Sequence, residues 1–242
     1  ENFHSEKIQT RKVALSEYLE RKTFHQISQS KDDRLSWGIN IIPTACGFAA
    51  GFDKFNTVFR ALGEACERWV MSMWIDEGYY IEEIESTSIV HDAVSQFFVN
   101  QFDTVRYFKK NVKILFQGQL VEVAVAQTLG LTKTGIFPGM SAQVNGGSIW
   151  QHALLESYRH LLGAKNNAIG GDRFPWNRVR FFANNKEVAL EQISRATKTD
   201  WPLPETILEK AEGYFGGEAY LARIILRGWR SWEDGPIERF LY

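Results

Sequence analysis

The stretch that decides the fold is residues 47–69, which read GFAAGFDKFNTVFRALGEACERW. Glycines and small residues open it, which predicts a loop over residues 46–53 whose backbone N–H groups can approach an anion closely. From residue 54 to 75 apolar residues recur at helical spacing, which predicts an amphipathic helix. The apolar stripe consists of Phe55, Val58, Phe59, Leu62, Ala65, Cys66, Trp69, Val70 and Met73.

Charged residues occupy the other side of this helix. Glu64, Glu67 and Arg68 stand at positions i, i+3 and i+4, and Arg60 lies one turn earlier, so all four project from one face. Two carboxylates one turn apart can share Mg²⁺, and an adjacent guanidinium can grip a phosphate. The alternative is a solvated face of ordinary ion pairs, worth about 0.2–0.5 kcal/mol each. The nucleotide interpretation therefore requires the carboxylates to face an enclosed cavity.

An internal repeat supports the importance of this segment. Residues 139–161, GMSAQVNGGSIWQHALLESYRHL, align without a gap at an offset of 92 residues. Each copy predicts a loop of small residues that leads into a helix with a glutamate midway. We interpret the copies as a duplication whose two units face a shared site, although chance agreement of two amphipathic helices is an alternative. The identical positions are Gly47 with Gly139, Ala50 with Ala142, Ala61 with Ala153, Leu62 with Leu154, and Glu64 with Glu156.

Composition limits the classes of function. The 242 residues are 44% hydrophobic and 14% aromatic, which is enough to build a core without disulfides. The net charge of −1 disfavours nucleic-acid binding, because no bulk positive charge attracts a phosphate backbone. No apolar run is long enough to span a membrane, and the first residues lack a signal-peptide pattern, so we expect a cytoplasmic protein. The two cysteines, Cys46 and Cys66, are expected to be reduced thiols.

The remaining pattern predicts an α+β fold with residues 1–36 as an N-terminal helical segment and residues 37–242 as the main domain. Further helices are predicted at 5–29, 88–100, 148–165, 186–197 and 205–213. Strands are predicted at 38–42, 112–116, 120–127, 178–182 and 220–226, with an extended segment at 79–84 and a loop over 128–147.

Two other groups of residues are weaker candidates. His152 and His160 flank Glu156 at i−4 and i+4, where they could serve a metal or transfer protons, or simply make polar contacts. Asp172-Arg173, after two glycines, could reach a phosphate or form a surface turn.

Residues 47–51 followed by 60–68 resemble the YcaO family, whose repeated segments carry a small-residue loop and then a helix with alanine, leucine, two glutamates and an arginine. The string ALGEACERW at 61–69 is close to the usual ALGEAIERY. Residues 153–156 resemble a later helix of the family, where Arg159, His160 and Leu161 replace its usual acidic, arginine or glutamine positions. Residues 220–229 are similar to its late strand.

This resemblance implies a YcaO-like fold of two related loop–helix–strand units packed around a shared nucleotide site. It implies that Glu64, Glu67 and Glu156 bind Mg²⁺ and that ATP is the cofactor. Roles in nucleotide binding follow for Gly47, Ala50, Gly51, Arg60, Glu64, Glu67, Arg68 and Glu156.

Members of the family spend ATP to phosphorylate a backbone amide oxygen of a peptide, yielding an azoline, a thioamide or an amidine. The expected partners are a precursor peptide and a protein that presents it, either TfuA-like or leader-binding. A homodimer is an open possibility. Because of the replacements after Glu156, the alternative is a degenerate YcaO-fold subunit that binds a peptide or partner protein without catalysis.

Overall fold

The computed structural model describes residues 2–144, 149–166 and 174–240. Its helices are α1 Asn2–Ile27, α2 Lys31–Ser36, α3 Lys54–Ile75, α4 Ala93–Val99, α5 Ile149–Lys165, α6 Phe174–Phe182 and α7 Lys186–Ser194. Its strands are β1 Phe48–Gly51, β2 Glu82–Ile84, β3 Thr104–Phe116, β4 Gln119–Leu131, β5 Ile136–Val144, β6 Thr206–Tyr214 and β7 Ala219–Leu226. Short 3-10 turns lie at Ser86–Ser88 and Phe215–Gly217. The α+β class is confirmed.

The chain divides into two compact units, one formed by residues 1–65 and 205–227 and the other by residues 66–204 and 228–242. Helix α3 therefore begins in the first unit and ends in the second. No helix in the described part of the chain is long and apolar enough to cross a membrane.

The first unit is built on a three-stranded antiparallel sheet in the order β1-β7-β6. Phe48 of β1 pairs with Arg223 of β7, which places the last strand described beside the start of the first copy of the repeat. Helix α1 covers the sheet, and an apolar cluster seals the contact because each of its members is removed from water. The buried members are Ile27, Trp37, Ile39, Phe48, Ala50 and Leu221.

The second unit is built on a four-stranded antiparallel sheet in the order β2-β3-β4-β5. Helix α5 packs against β4 and β5, where the hydroxyl oxygens of Thr128 and Ser157 lie 2.9 Å apart in the interior. Gly139 of β5 makes this close packing possible, since a Cβ at that position would lie 1.9 Å from the Ala153 carbonyl oxygen. The helix backbone can therefore approach the strand only over a glycine.

Replacing Gly139 by alanine is expected to destabilise the protein by more than about 2 kcal/mol, because the new methyl group meets backbone atoms that cannot move aside. Gly213→Ala is the matched control, since its Cβ would meet nothing nearer than 3.7 Å. Urea unfolding midpoints of the two variants measure the difference. Equal midpoints would show that α5 can shift away from β5 at little cost.

The repeat reappears in the structure as a strand followed by a helix. Strand β1 leads into α3, and the aligned part of β5 leads into α5. The predicted loops of small residues at 46–53 and 128–147 are therefore wrong, because both contain strands. Glycine and proline are common in loops, but in this chain several glycines lie within strands where other groups pack closely: Gly51 beneath Thr57, Gly130 beneath Phe102, and Gly139 beneath α5.

Three other predicted elements are wrong. Residues 38–42 form turns rather than a strand, and Gly38 has a positive φ of 63°. Residues 178–182 belong to helix α6, in which Arg178, Val179 and Phe182 are buried at helical spacing. Residues 205–213 favour a helix by composition but form strand β6, since pairing with β7 overrides local propensity. The helices at 5–29, 54–75, 148–165 and 186–197 and the strands at 112–116, 120–127 and 220–226 are confirmed within a few residues or as parts of longer elements.

Candidate functional site

Helix α3 carries the charged residues of the first copy of the repeat. Glu64, Glu67 and Arg68 are half-buried, whereas Arg60 is exposed. The carboxylates are therefore neither sealed in a core nor fully solvated. Their side of the helix contrasts with the apolar stripe, where Leu62 is inaccessible to water.

Glu64 belongs to a group of charged side chains within the first unit. Its carboxylate acts electrostatically on Glu20 of α1 and on Arg223 of β7, and Arg60 acts on Glu20 as well. The structure thus adds two residues, Glu20 and Arg223, that the sequence analysis did not assign to the site. They lie 44 residues before and 159 residues after Glu64 in the chain, so no local pattern pointed to them.

Glu20 has a strongly perturbed carboxyl group. Burial, reinforced by the neighbouring carboxylate of Glu64, raises the pKa of Glu20 to about 8. At neutral pH one of these two carboxyl groups therefore keeps a proton. A divalent cation would relieve the repulsion between them, so the donor set fits a hard metal ion.

The raised pKa of Glu20 predicts a pH-dependent stability. The folded chain holds a proton that the unfolded chain releases near pH 4.5, so stability falls as pH rises from about 4.5 to 8. In chelator we expect the wild type to lose roughly 1–3 kcal/mol of unfolding free energy across that window. Glu20→Gln should abolish this slope, and Glu218→Gln, at an exposed position of the same unit, should leave it intact. Denaturant titrations at pH 5 and pH 8.5 measure it, and an unchanged slope in Glu20→Gln would contradict the assignment.

Arg223 is buried at the centre of the first unit. Its Nη2 donates to the carbonyl oxygens of Ile42 at 2.6 Å and Thr44 at 3.1 Å, and its guanidinium lies 4.4 Å from the Phe48 ring centroid. Within the described residues its Nε and Nη1 have no hydrogen-bond partner. Burial lowers its pKa to about 10, and the nearby Glu64 carboxylate opposes that shift. The Arg223 guanidinium therefore interacts electrostatically with the Glu64 carboxylate.

The predicted glycine-rich anion loop has a different structure. Strand β1 pairs with β7, and the amide of Ile224 donates to the Gly47 carbonyl at 3.0 Å. Because antiparallel pairs alternate, the backbone groups of Ala50 point away from β7. The Ala50 carbonyl accepts a 2.9 Å hydrogen bond from Arg60 Nη1. Nucleotide contacts at Gly47, Ala50, Gly51 and Arg60 stay predictions, and Arg60 also holds the edge of β1 through this bond.

The second unit gathers the charged residues of the second copy. Arg159 Nη1 donates to Glu156 Oε1 at 2.7 Å, and His152 lies 3.9 Å from the same carboxylate. Arg68, on the part of α3 that belongs to this unit, acts electrostatically on His160 together with Glu156. Both histidines thus lie near Glu156, but His152 is exposed whereas His160 is partly buried.

His160 is fixed by the neighbouring strand. Its Nδ1 lies 2.6 Å from the Pro138 carbonyl oxygen and must donate to it, which leaves Nε2 as the acceptor of a neutral ring. Burial lowers the pKa of His160, and the positive charges of Arg68 and Arg159 lower it further. The hydrogen bond to Pro138 and the negative charge of Glu156 act in the opposite direction. This side chain is therefore held uncharged by its surroundings.

The described side chains do not form a metal site of three or more protein ligands. In residues 2–144, 149–166 and 174–240, no group of three His, Cys, Asp or Glu side chains could hold a metal ion by itself. Mg²⁺ usually takes one or two protein carboxylates and completes its shell with water and phosphate oxygens, so this finding is compatible with a nucleotide-dependent site. Asp172-Arg173 lie outside the described residues. Cys46 and Cys66 are buried free thiols, and burial raises the pKa of Cys66.

Comparisons with known proteins identify the fold. No protein-family model and no curated protein matches the chain. A heterocyclase in complex with substrate and cofactor matches 77% of this chain and 28% of its own, with a TM-score of 0.53 and 12% identity. The heterocyclase TruD matches 77% and 29%, with a TM-score of 0.50 and 16% identity. The E. coli microcin synthetase McbBCD complex with pro-MccB17 bound matches 78% and 56%, with a TM-score of 0.50 and 15% identity.

These likenesses show that the fold is α+β and YcaO-like, as the sequence resemblance implied. The chain spans only 28–56% of the length of the structures it matches.

Proposed function

We propose that the chain takes part in ATP- and Mg²⁺-dependent activation of backbone amides in a ribosomally made peptide, with cyclodehydration, thioamidation or amidine formation as the outcome. The observation that carries this proposal is the half-buried position of Glu64, beside a second carboxylate and a buried guanidinium, in a fold shared with heterocyclases. Mg²⁺ would supply charge neutralisation for a phosphoryl group in transfer.

The chain's own residues have separable roles in this proposal. Glu64 and Glu67 would hold Mg²⁺, with Glu156 as a further contact from the second copy. Arg60 and Arg68 would bind phosphate, since guanidinium groups suit phosphate oxygens. Arg223 would keep Glu64 ionised, because a buried positive charge favours the neighbouring carboxylate form. Gly47, Ala50 and Gly51 would border the nucleotide.

The proposal includes a precursor peptide as substrate and a protein that presents it, TfuA-like or leader-binding. The McbBCD structure, which resembles this chain in fold, is a complex with pro-MccB17 bound. A second candidate is a degenerate subunit that binds peptide or protein without turnover. It is favoured by Glu156, whose carboxylate is already paired with Arg159 at 2.7 Å.

Calorimetric titration of the chain with ATP separates the two candidates. The enzyme proposal expects binding heat with Mg²⁺ present and little or none with chelator, because the carboxylates repel phosphate unless a cation bridges them. The degenerate subunit expects no binding of ATP in either condition at millimolar nucleotide. The latter result would remove the nucleotide-dependent proposal for this chain.

A further inference from the structure

The four-stranded sheet of the second unit has an incompletely covered edge. Strand β2 has only three residues and pairs with residues 107–109 of β3, whereas β3 continues to Phe116. Strand β4 pairs with the inner side of this continuation, and no strand in the described part of the chain pairs with its outer side. The outer side of residues 110–116 is therefore an open strand edge.

The hairpin fixes which backbone groups face that edge. Gln117 and Gly118 both have positive φ, so they form a two-residue turn that joins Phe116 to Gln119 by a hydrogen-bonded pair. Because antiparallel ladders alternate, the N–H and C=O groups of Asn111, Lys113 and Leu115 point away from β4. In the residues that the structure describes, these three residues have no backbone partner on the outer side.

A groove lies where β2 diverges from β3. It has a volume of about 480 Å³, and aromatic side chains of Tyr80 and Trp201 form part of its wall. Tyr80 is held there by a 2.9 Å hydrogen bond from Trp201 Nε1 to its carbonyl oxygen. The groove thus continues the line that β2 would follow if it ran on beside β3.

The charge of this region is mainly positive. Lys109 and Lys110 line the groove, and Lys113 is exposed on the open edge. The ammonium group of Lys110 lies 4.6 Å from the Trp201 ring centroid, which orients it within the groove. Two acidic groups oppose this charge: Glu82, which also lines the groove, and Glu122, which is directly opposite Lys113 across the hairpin and accepts a hydrogen bond from Asn111.

The tip of the hairpin adds an apolar contact surface. Leu115 and Leu120 are directly paired across the two strands and are 68% and 67% exposed. An extended segment along the edge would reach them after it leaves the groove. Two adjacent exposed leucines are a suitable contact for one apolar side chain.

We propose that this edge binds an acidic, extended peptide segment as an added strand, with its backbone on Asn111, Lys113 and Leu115 and its carboxylates near Lys109 and Lys113, which share one face of β3. Main-chain hydrogen bonds then give affinity, and charge gives selectivity. A second copy of the chain is the less suitable occupant. If two copies of β3 paired antiparallel about Lys113, the Lys113 side chains of the two copies would lie opposite each other. The repulsion between two like charges opposes such pairing, and lysines on edge strands commonly prevent it.

This inference goes beyond the proposed function, since it requires neither nucleotide nor turnover. The test uses two fluorescent synthetic peptides without nucleotide, one repeating Glu-Val and one repeating Lys-Val, and measures binding by anisotropy. We expect the acidic peptide to bind and the basic peptide not to bind. Binding should change the amide NMR shifts of Asn111, Lys113 and Leu115 and weaken with salt.

Three variants test the geometry. Lys113→Glu should lower the affinity for the acidic peptide about tenfold or more, because it reverses a charge on the edge. Leu115→Pro removes an outward N–H while the ladder to β4 stays intact, and should weaken binding similarly. Lys133→Glu, an exposed lysine in the turn between β4 and β5, is the control and should bind as the wild type. Lys113→Glu remains decisive if Leu115→Pro does not fold.

Equal binding of both peptides, or wild-type affinity in Lys113→Glu, would overturn the proposal. So would a dimer in sedimentation experiments that Leu115→Pro dissociates, since a second copy would then occupy the edge. None of these outcomes bears on nucleotide binding at Glu64, so failure here is distinguishable from failure of the proposed function.

Discussion

The double variant Glu64→Gln/Glu67→Gln is expected to lose Mg²⁺-dependent ATP binding, with affinity reduced roughly 30-fold or more. Glutamine keeps the size of each side chain but removes the charge that attracts a divalent cation. Half-burial makes the loss larger than at a solvated position, because fewer water molecules screen the charge. Calorimetric titration with Mg²⁺-ATP measures the effect.

Glu77→Gln serves as the control for this pair. Glu77 follows the end of α3, is exposed, and lies 3.8 Å from Arg230 in a solvated ion pair. Its replacement should leave the ATP affinity within twofold or so, since surface pairs contribute little. Equal affinities of the double variant and the wild type would show that the α3 carboxylates do not bind the metal.

The second large effect concerns stability. Asp76→Ala is expected to cost about 3–5 kcal/mol of unfolding free energy, because it leaves a buried guanidinium without its counter-ion. Arg239 Nε lies 2.7 Å from one oxygen of Asp76, Nη2 contacts the other, and both side chains are less than a tenth exposed. Arg239 Nη1 also donates at 2.8 Å to the carbonyl oxygens of Ser231 and Asp234, so within the second unit the pair ties the segment after β7 to the end of α3.

Glu191→Ala is the control for Asp76→Ala, because it removes a carboxylate from an exposed ion pair. Glu191 pairs with Arg195 at 2.6 Å, but both side chains are about two-thirds exposed. Its loss should cost less than about 0.5 kcal/mol. Chemical denaturation of both variants measures the contrast. Similar free energies of unfolding would show that burial of the Asp76–Arg239 pair has no energetic consequence.

The sequence was most informative where one local period persisted. Helices α3 and α5 follow from apolar residues at helical spacing over 22 and 17 residues. It failed where long-range pairing decided the structure. Residues 206–214 are rich in helix-favouring Glu, Lys and Ala, yet β7 recruits them into a sheet. The short segment at 178–182, with three apolar residues and two arginines, suits either a strand or a helix, and only its packing selects the helix.

The site could be predicted in part for the same reason. Glu64, Glu67 and Arg68 share one helix, so their common side follows from helical geometry alone. Glu20 and Arg223 join Glu64 only through the packing of α1 and β7 in the first unit. In the sequence, Glu20 is one glutamate on a charged helix and Arg223 is one arginine in an apolar strand. Neither pattern indicates a shared site. The groove beside β3 likewise depends on how far β2 extends.

A crystal structure grown with Mg²⁺ and a non-hydrolysable ATP analogue tests the central claim most directly. The account predicts Mg²⁺ bound to the carboxylate oxygens of Glu64 or Glu67 at about 2.0–2.1 Å, with the analogue's phosphates completing its shell. An analogue bound elsewhere, with both carboxylates in bulk water and no metal beside them, would contradict it.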